Sequence, residues 1–298
     1  MQPFLVIELG FDPDLLTIGG FLLTWHGIFT AVGILIGVNL SLRMARVIHY
    51  NEDDAYTLAL VGVPSGVFGA RLLFVAERWD FYGENPGRIL AITEGGISIW
   101  GAILGGVLGG FLFALWRRYP ITGALDIAAF GIIAGQATGR IGDVINGEHL
   151  AIATDVPWGV IYTNPASPAF AHSITVGAHH PATAYELIGD LVILGVLFYV
   201  LNGVFRRRPG LTFFTYLVGY AVMRMVLTEL RVDSAVAAFG LRVPQLVSLI
   251  VVLVSVPFIV YLAGQDPVDR DEPPAPQGTN TGQFMRREGR RVPVRRRH

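Results

Sequence analysis

Residues 139–150 read GRIGDVINGEHL and set Arg140, Asp143, Asn146, Glu148 and His149 among three glycines. A guanidinium holds phosphate through two parallel N–H donors, a carboxylate orients a cation or takes a proton, and an imidazole exchanges protons near neutral pH. The stretch follows an apolar run long enough to cross a bilayer, where ionisable groups are costly and mark functional sites by default. Further polar side chains lie in or beside other apolar runs: His26, Arg71, His180, Tyr185, Glu186, Tyr220, Arg224, Glu229 and Arg231, with Asp126 and Asp190. Tyr220, Arg224, Thr228 and Arg231 recur at the spacing of one helix face and predict a polar stripe, with Glu229 about 140° away from Arg224 on a regular helix. One such arginine alone is explained as well by a structural role, snorkelling or pairing with a carboxylate, as by a functional one. Several at one depth point to an anionic ligand, and a phospholipid head group is the anion at hand.

The elements that must position these groups are membrane helices. The chain has 298 residues, is 52% hydrophobic and 15% charged, and has a mean hydropathy of +0.53, outside the range of soluble domains. Seven apolar runs, at approximately 20–40, 56–76, 97–116, 121–138, 182–203, 211–230 and 242–263, are each long enough to span ~30 Å of hydrocarbon. The fold class is therefore an all-α integral membrane protein of seven transmembrane helices. Every basic residue is arginine, and the arginines follow alternate spans: Arg43 and Arg46, then Arg117 and Arg118, then Arg206, Arg207 and Arg208, then the tail. The stretch 141–181 carries acids and no arginine. The positive-inside rule then gives an N-out, C-in topology, with a small extracytoplasmic cap from the long loop between spans four and five.

This topology gathers Arg71, Arg140, Glu148, His180, Tyr185, Glu186, Tyr220, Arg224, Glu229 and Arg231 in the outer half, with His26 roughly 9 Å into its helix. Asp126 falls near the inner end and Asp190 near the middle. Residues 1–19 lack arginine, so the first apolar run is expected to be a retained span rather than a cleaved signal peptide. Residues 77–96 read as an outer interfacial loop. Residues 1–264 form the membrane domain, and 265–298, acidic and proline-rich and then arginine-rich, a disordered cytoplasmic tail drawn to anionic lipid.

Cysteine is absent, so a thiol used in the chemistry must belong to a substrate. His149, His172, His179 and His180 do not have metal-ligand spacing, and no metal or cofactor is expected. The glycines at 139–147 are not a phosphate loop, since no strand precedes them. Ser98 and Ser248 lack a nucleophile-elbow context. His26, beside Trp25, reads more readily as a satisfied core or interface residue than as a functional one. Without inverted repeats, and with the charges on one side, a transporter is disfavoured. No nucleic-acid partner is expected.

Gly139-Arg140-Ile141-Gly142-Asp143-Val144-Ile145-Asn146-Gly147-Glu148 resembles the signature GR-x-GNF-x-N-x-E of the prolipoprotein diacylglyceryl transferases. Gly69-Ala70-Arg71-Leu72, Asn85-Pro86 through Gly95-Gly96-Ile97-Ser98, Pro157-Trp158-Gly159-Val160, His180-Pro181 with Tyr185-Glu186, Leu230-Arg231-x-Asp233-Ser234 and Gln245 are similar to further blocks of that family in the same order. The resemblance covers most of residues 20–260. It implies transfer of the diacylglyceryl group of phosphatidylglycerol to the lipobox cysteine of a prolipoprotein signal peptide. The reaction forms a thioether and releases glycerol phosphate at the extracytoplasmic side of the bacterial inner membrane, with membrane lipid as the medium. Arg140 and Arg224 match the family's essential arginines and suit the holding of phosphate. Glu148 and Asn146 match positions that orient head group or arginine, and Asp143, Tyr220, Glu229, Arg231, Arg71 and His180 are expected on the substrate side.

Several positions depart from the family pattern. Asp143 stands where the family has Asn, Ala151 where it has Gly, His26 where it usually has Tyr, and Trp100 where it has a histidine proposed as the thiol's base. Thr228 stands where it has Glu, with Glu229 one residue later. His26 could supply the missing imidazole; Asp143 could also serve as base, although the neighbouring Arg140 makes it a poor one. The competing readings are a diverged paralogue with another acceptor and a noncatalytic membrane protein that binds lipid or lipoprotein.

Overall fold

The computed structural model describes residues 6–18, 21–91 and 95–268; the tail expected to be disordered lies outside them beyond Val268. Among the described residues seven helices are long and apolar enough to span a membrane: α1 (Trp25–Val47), α2 (Glu52–Glu77), α4 (Ile99–Arg117), α5 (Ile121–Asn146), α7 (Ala182–Asn202), α8 (Leu211–Thr228) and α9 (Val243–Ala263). Short helices α3 (Trp79–Glu84) and α6 (Phe170–Val176) lie in connections. Strand β1 (Ile7–Leu9) pairs in parallel with β4 (Val160–Tyr162), and β2 (Asp14–Ile18) forms an antiparallel hairpin with β3 (Phe21–Thr24).

Three helices differ by four or more residues from the spans read in the sequence: α2 begins at Glu52 rather than 56, α1 runs on to Val47 so that Arg43 and Arg46 lie within it, and α1 and α5 also differ at the ends that carry the site. α1 begins at Trp25 rather than near residue 20, because the preceding apolar residues belong to β3. Thr24 caps it, its Oγ1 accepting from the Gly27 amide at 3.1 Å. His26 therefore lies in the first turn, at the rim of the bundle and not deep within it. α5 runs past residue 138 to Asn146, so the polar stretch is helical, with Asp143 and Asn146 buried on its inner face. It stops at Gly147, whose φ of +78° favours glycine and whose added Cβ would lie 2.9 Å from the Tyr162 ring.

α5 is the central helix. Gly33 and Gly37 of α1 sit on Gly135 and Gly131, and a Cβ at Gly37 would approach the Gly131 carbonyl to 2.5 Å. Small residues let helix backbones touch, which is how helices associate in lipid. The principal apolar core sits at one end of the bundle, where Met44, Ala45 and Ile48 of α1 meet Ile127, Phe130 and Ile133 of α5, Ile193, Leu197 and Leu201 of α7, and Tyr216 of α8. At that end Asp126 caps α8, accepting from the amides of Gly210 at 2.8 Å and Phe213 at 3.1 Å. Outward faces stay apolar and exposed, as at Leu35, Phe68, Tyr199 and Leu253. α9 buries Gln245, Ser248 and Ser255 and turns its larger apolar residues outward, as a lipid-facing helix does.

The polar end is closed by the segment between α5 and α7. Ala151 pairs with Arg231, and Ala153 and Val160 with His179. The Ile152 amide donates to Leu230 at 2.9 Å, and the Val232 amide to Leu150 at 3.0 Å. This zipper lays the segment after α5 on the α8–α9 connection and brings Arg231 beside His149.

Candidate active site

Three guanidiniums, from α5, α8 and the connection after α8, meet at one carboxylate. Glu186, in the second turn of α7, has a side chain 1% exposed. Its Oε1 accepts from Arg224 Nη1 and, at 3.1 Å, from Arg231 Nη1. Its Oε2 lies 2.9 Å from Arg140 Nη2, an ion pair not aligned as a hydrogen bond. Arg140 also donates Nη1 to Asp143 Oδ2 at 2.8 Å. The sequence reading placed Arg231 on the helical stripe of Tyr220, Arg224 and Thr228. In the structure α8 ends at Thr228, and the connection carries Arg231 back to the same carboxylate.

Arg231 is held more firmly than the other two. Its Nε and Nη2 grip Asp233 Oδ1 and Oδ2 at 2.9 and 2.7 Å, a bidentate pair. His149 Nδ1 lies 2.7 Å from Arg231 Nη2 and 3.2 Å from Asp233 Oδ2, and the tautomer decides which contact is a hydrogen bond. Burial pushes the Asp233 carboxyl up, but hydrogen bonds to His149 and Arg231 outweigh it and hold the group well below the usual carboxylate range. Arg231 is 4% exposed, whereas Arg140 and Arg224 keep 15% and 16% of their side chains accessible. Arg140 and Arg224 are therefore the two whose side chains remain partly accessible.

Asp143 joins this cluster to His26. Its Oδ1 lies 2.5 Å from His26 Nδ1, while Oδ2 receives Arg140. The contact depends on Gly142, where a Cβ would stand 2.8 Å from the His26 Cα. His26 is 48% exposed, and among the described residues its Nε2 makes no hydrogen bond. An imidazole fixed through Nδ1 by a carboxylate presents Nε2 as a proton acceptor. The two departures from the family pattern on α1 and α5 thus touch each other.

The remaining expected residues divide. Tyr220 is one turn before Arg224, its ring 6.1 Å from that of Tyr216. Asn146 is buried with Oδ1 unpartnered, and its carbonyl accepts from Ser167 Oγ at 2.8 Å. Glu148 follows the α5 cap; its carbonyl accepts from Thr183 Oγ1 at 3.2 Å, and its carboxylate makes no hydrogen bond among the described residues. His180 lies in the cap, with Nδ1 3.2 Å from the Tyr185 hydroxyl, which also accepts from Trp158 Nε1 at 2.7 Å. Glu229 is held by Gln245 Nε2 at the start of α9 and makes no ion pair with the arginines among the described residues.

Arg71 is the clearest difference from expectation. It lies on α2 and spends its guanidinium on main-chain carbonyls of Ile89 and Arg88, both at 2.7 Å, and of Gly95 and Gly96, both at 2.8 Å. Sequence reasoning puts Glu186 in the outer polar layer and His149 in the polar stretch but gives neither them nor Asp233 a role as partners of the arginines. A glutamate inside an apolar run and the Arg231-x-Asp233 spacing were the available signals, but their common focus exists only in three dimensions.

Fold and site together define a multi-pass membrane protein with a cluster of paired arginines and carboxylates at one end of its bundle. A family model described as prolipoprotein diacylglyceryl transferase matches residues 13–261. Relatives named phosphatidylglycerol–prolipoprotein diacylglyceryl transferase include one from Dehalococcoides mccartyi, 33% identical over 257 residues and covering 86% of this chain and 95% of the relative. Another, from Trichormus variabilis, is 36% identical over 241 residues, covering 80% and 84%. A third, from Synechococcus elongatus, is 34% identical over 257 residues, covering 85% and 88%. The chain belongs to the prolipoprotein diacylglyceryl transferase family.

Proposed function

We propose that this protein transfers the diacylglyceryl group of phosphatidylglycerol to the lipobox cysteine thiol in the signal peptide of a prolipoprotein. The site faces the extracytoplasmic side of the bacterial cytoplasmic membrane, and the chain runs N-out and C-in, a topology supported by the arginines that follow alternate spans. The observation that carries the proposal is the convergence of Arg140, Arg224 and Arg231 on Glu186. Three guanidiniums at the end of a membrane bundle suit a lipid phosphate.

In this reading Arg140 and Arg224 hold the phosphate and stabilise its growing charge as the carbon–oxygen bond to the glyceryl group breaks. His26, oriented by Asp143, accepts the thiol proton at Nε2. Sulfur bonds to the glyceryl carbon, the electron pair of the broken bond stays on the phosphate oxygen, and glycerol phosphate leaves. The proton then passes from His26 to the released phosphate or to water. Asn146, Glu148 and Tyr220 complete the head-group surface, Arg231 anchors the cluster, and His180 and Glu229 brace the cap and α9.

The test uses proteoliposomes containing phosphatidylglycerol and a lipobox peptide. Wild type is expected to form the thioether, and Arg140→Ala to lose at least ~1,000-fold in rate. His26→Phe is expected to lose on the order of 100-fold, partly restored by added imidazole. A wild type that binds lipid but transfers nothing to any thiol contradicts the proposal.

A further inference from the structure

Glu186 is the one carboxylate that all three arginines share, and the reading of Arg140 and Arg224 as phosphate holders gives it no role. A carboxylate and a phosphodiester present the same feature to a guanidinium: two anionic oxygens set for paired N–H donors. We propose that Glu186 competes with the phosphate for Arg140 and Arg224, and that this competition limits how tightly substrate and product are held. The inference rests on the phosphate-holding reading above and deepens it.

Charge and geometry both support the competition. Arg140, Arg224 and Arg231 are matched by Glu186, Asp143 and Asp233. A phosphodiester entering that balanced cluster adds an anion beside a buried carboxylate, and like charges in a poorly solvated place repel. Release of Arg140 and Arg224 by Glu186 removes the conflict. The two arginines concerned are the accessible ones, while Arg231, fixed by Asp233, can keep the glutamate. The Arg140 contact is also the least well made, since Glu186 Oε2 is buried without an aligned hydrogen bond. Arg224 commits only Nη1 to a described side chain. A returning carboxylate then favours departure of glycerol phosphate, which carries more charge than the diester and would otherwise bind more strongly. Glu186 is thus a positioning residue that acts through the arginines.

The experiment measures the KM for phosphatidylglycerol in phosphatidylcholine nanodiscs and, separately, inhibition by free glycerol phosphate. Glu186→Gln keeps the shape and removes the charge. It is expected to tighten both by roughly three- to tenfold, with Tm measured alongside. Unchanged or weaker binding overturns the proposal, and so does a gain confined to the lipid, because the competition is for the phosphate that both ligands share. Arg140→Ala separates the two levels. If it loses both ligands while Glu186→Gln fails to tighten them, the competition alone falls; if it binds both as wild type does, the phosphate-holding reading falls. Isotope-edited infrared difference spectra of wild-type protein with carboxyl-labelled glutamate read the same event without a substitution. Glycerol phosphate is expected to shift the band of a buried glutamate carboxylate, and an unchanged spectrum contradicts the proposal.

Discussion

Arg71 and the Arg140–Arg224–Arg231 cluster carry the same functional group, yet their partners are of opposite kinds. Arg71 is saturated by neutral carbonyls of a loop that the chain supplies to it, and Phe74 and Tyr82 flank its guanidinium with ring centroids 5.7 and 5.2 Å away. Those partners cannot leave without unfolding the connection between α3 and α4. The cluster is paired with side-chain carboxylates, partners that on the reading proposed above shift when another anion arrives. A buried arginine becomes a binding group when its partners are exchangeable, and a structural one when they are backbone.

Of the substitutions that test this contrast, Arg224→Lys should have the largest effect on activity. The positive charge remains but the planar fork is lost, so transfer is expected to fall on the order of 100-fold with little change in Tm. Arg71→Ala should reverse that pattern. It leaves four main-chain carbonyls without their donor, and a loss of about 3 kcal/mol of stability is expected, while activity per folded molecule stays within a few-fold of wild type. A collapse in activity at unchanged Tm would erase the contrast. Asp143→Asn sharpens it within the cluster. Losing the carboxylate between His26 and Arg140 is expected to lower kcat roughly tenfold or more and to leave the KM for phosphatidylglycerol within about threefold, since Arg140 keeps its fork.

The smallest effect concerns Asp233. Its folded pKa is depressed, so its contribution to stability is complete above the unfolded value near 4 and is lost as pH falls below it. Acidification from about pH 5 toward 3 should lower the Tm of wild type more than that of Asp233→Asn. The difference should be on the order of 1 kcal/mol, roughly 2–4 °C.

Hydropathy was a sound guide to the seven spans and a poor one to their ends. It stopped the fourth span at residue 138 because the next residues are polar, although those residues face other protein segments rather than lipid, and the helix continues to Asn146. It began the first span near residue 20 because an apolar run does not distinguish strand from helix, and residues 21–24 belong to a hairpin. Arg140, Arg224 and Arg231 were legible as charges in apolar surroundings. Arg71 gave the same signal, and nothing in its sequence neighbourhood marked its partners as carbonyls, which no side-chain pattern records. Glu186 was legible as a charge but not as the meeting point, because its three arginines come from the end of α5, the end of α8 and the connection beyond. The touching of His26 and Asp143 was hidden for the same reason: 117 residues separate them.

An experimental structure of the protein in nanodiscs containing phosphatidylglycerol tests the central claim most directly. The account predicts a lipid phosphate within ~3 Å of the Arg140 and Arg224 guanidiniums, with the glyceryl carbon on the side of His26 and Arg71 still bound to its loop. A phosphate held by Arg71, or a head group that leaves Arg140 and Arg224 without contact, would contradict it.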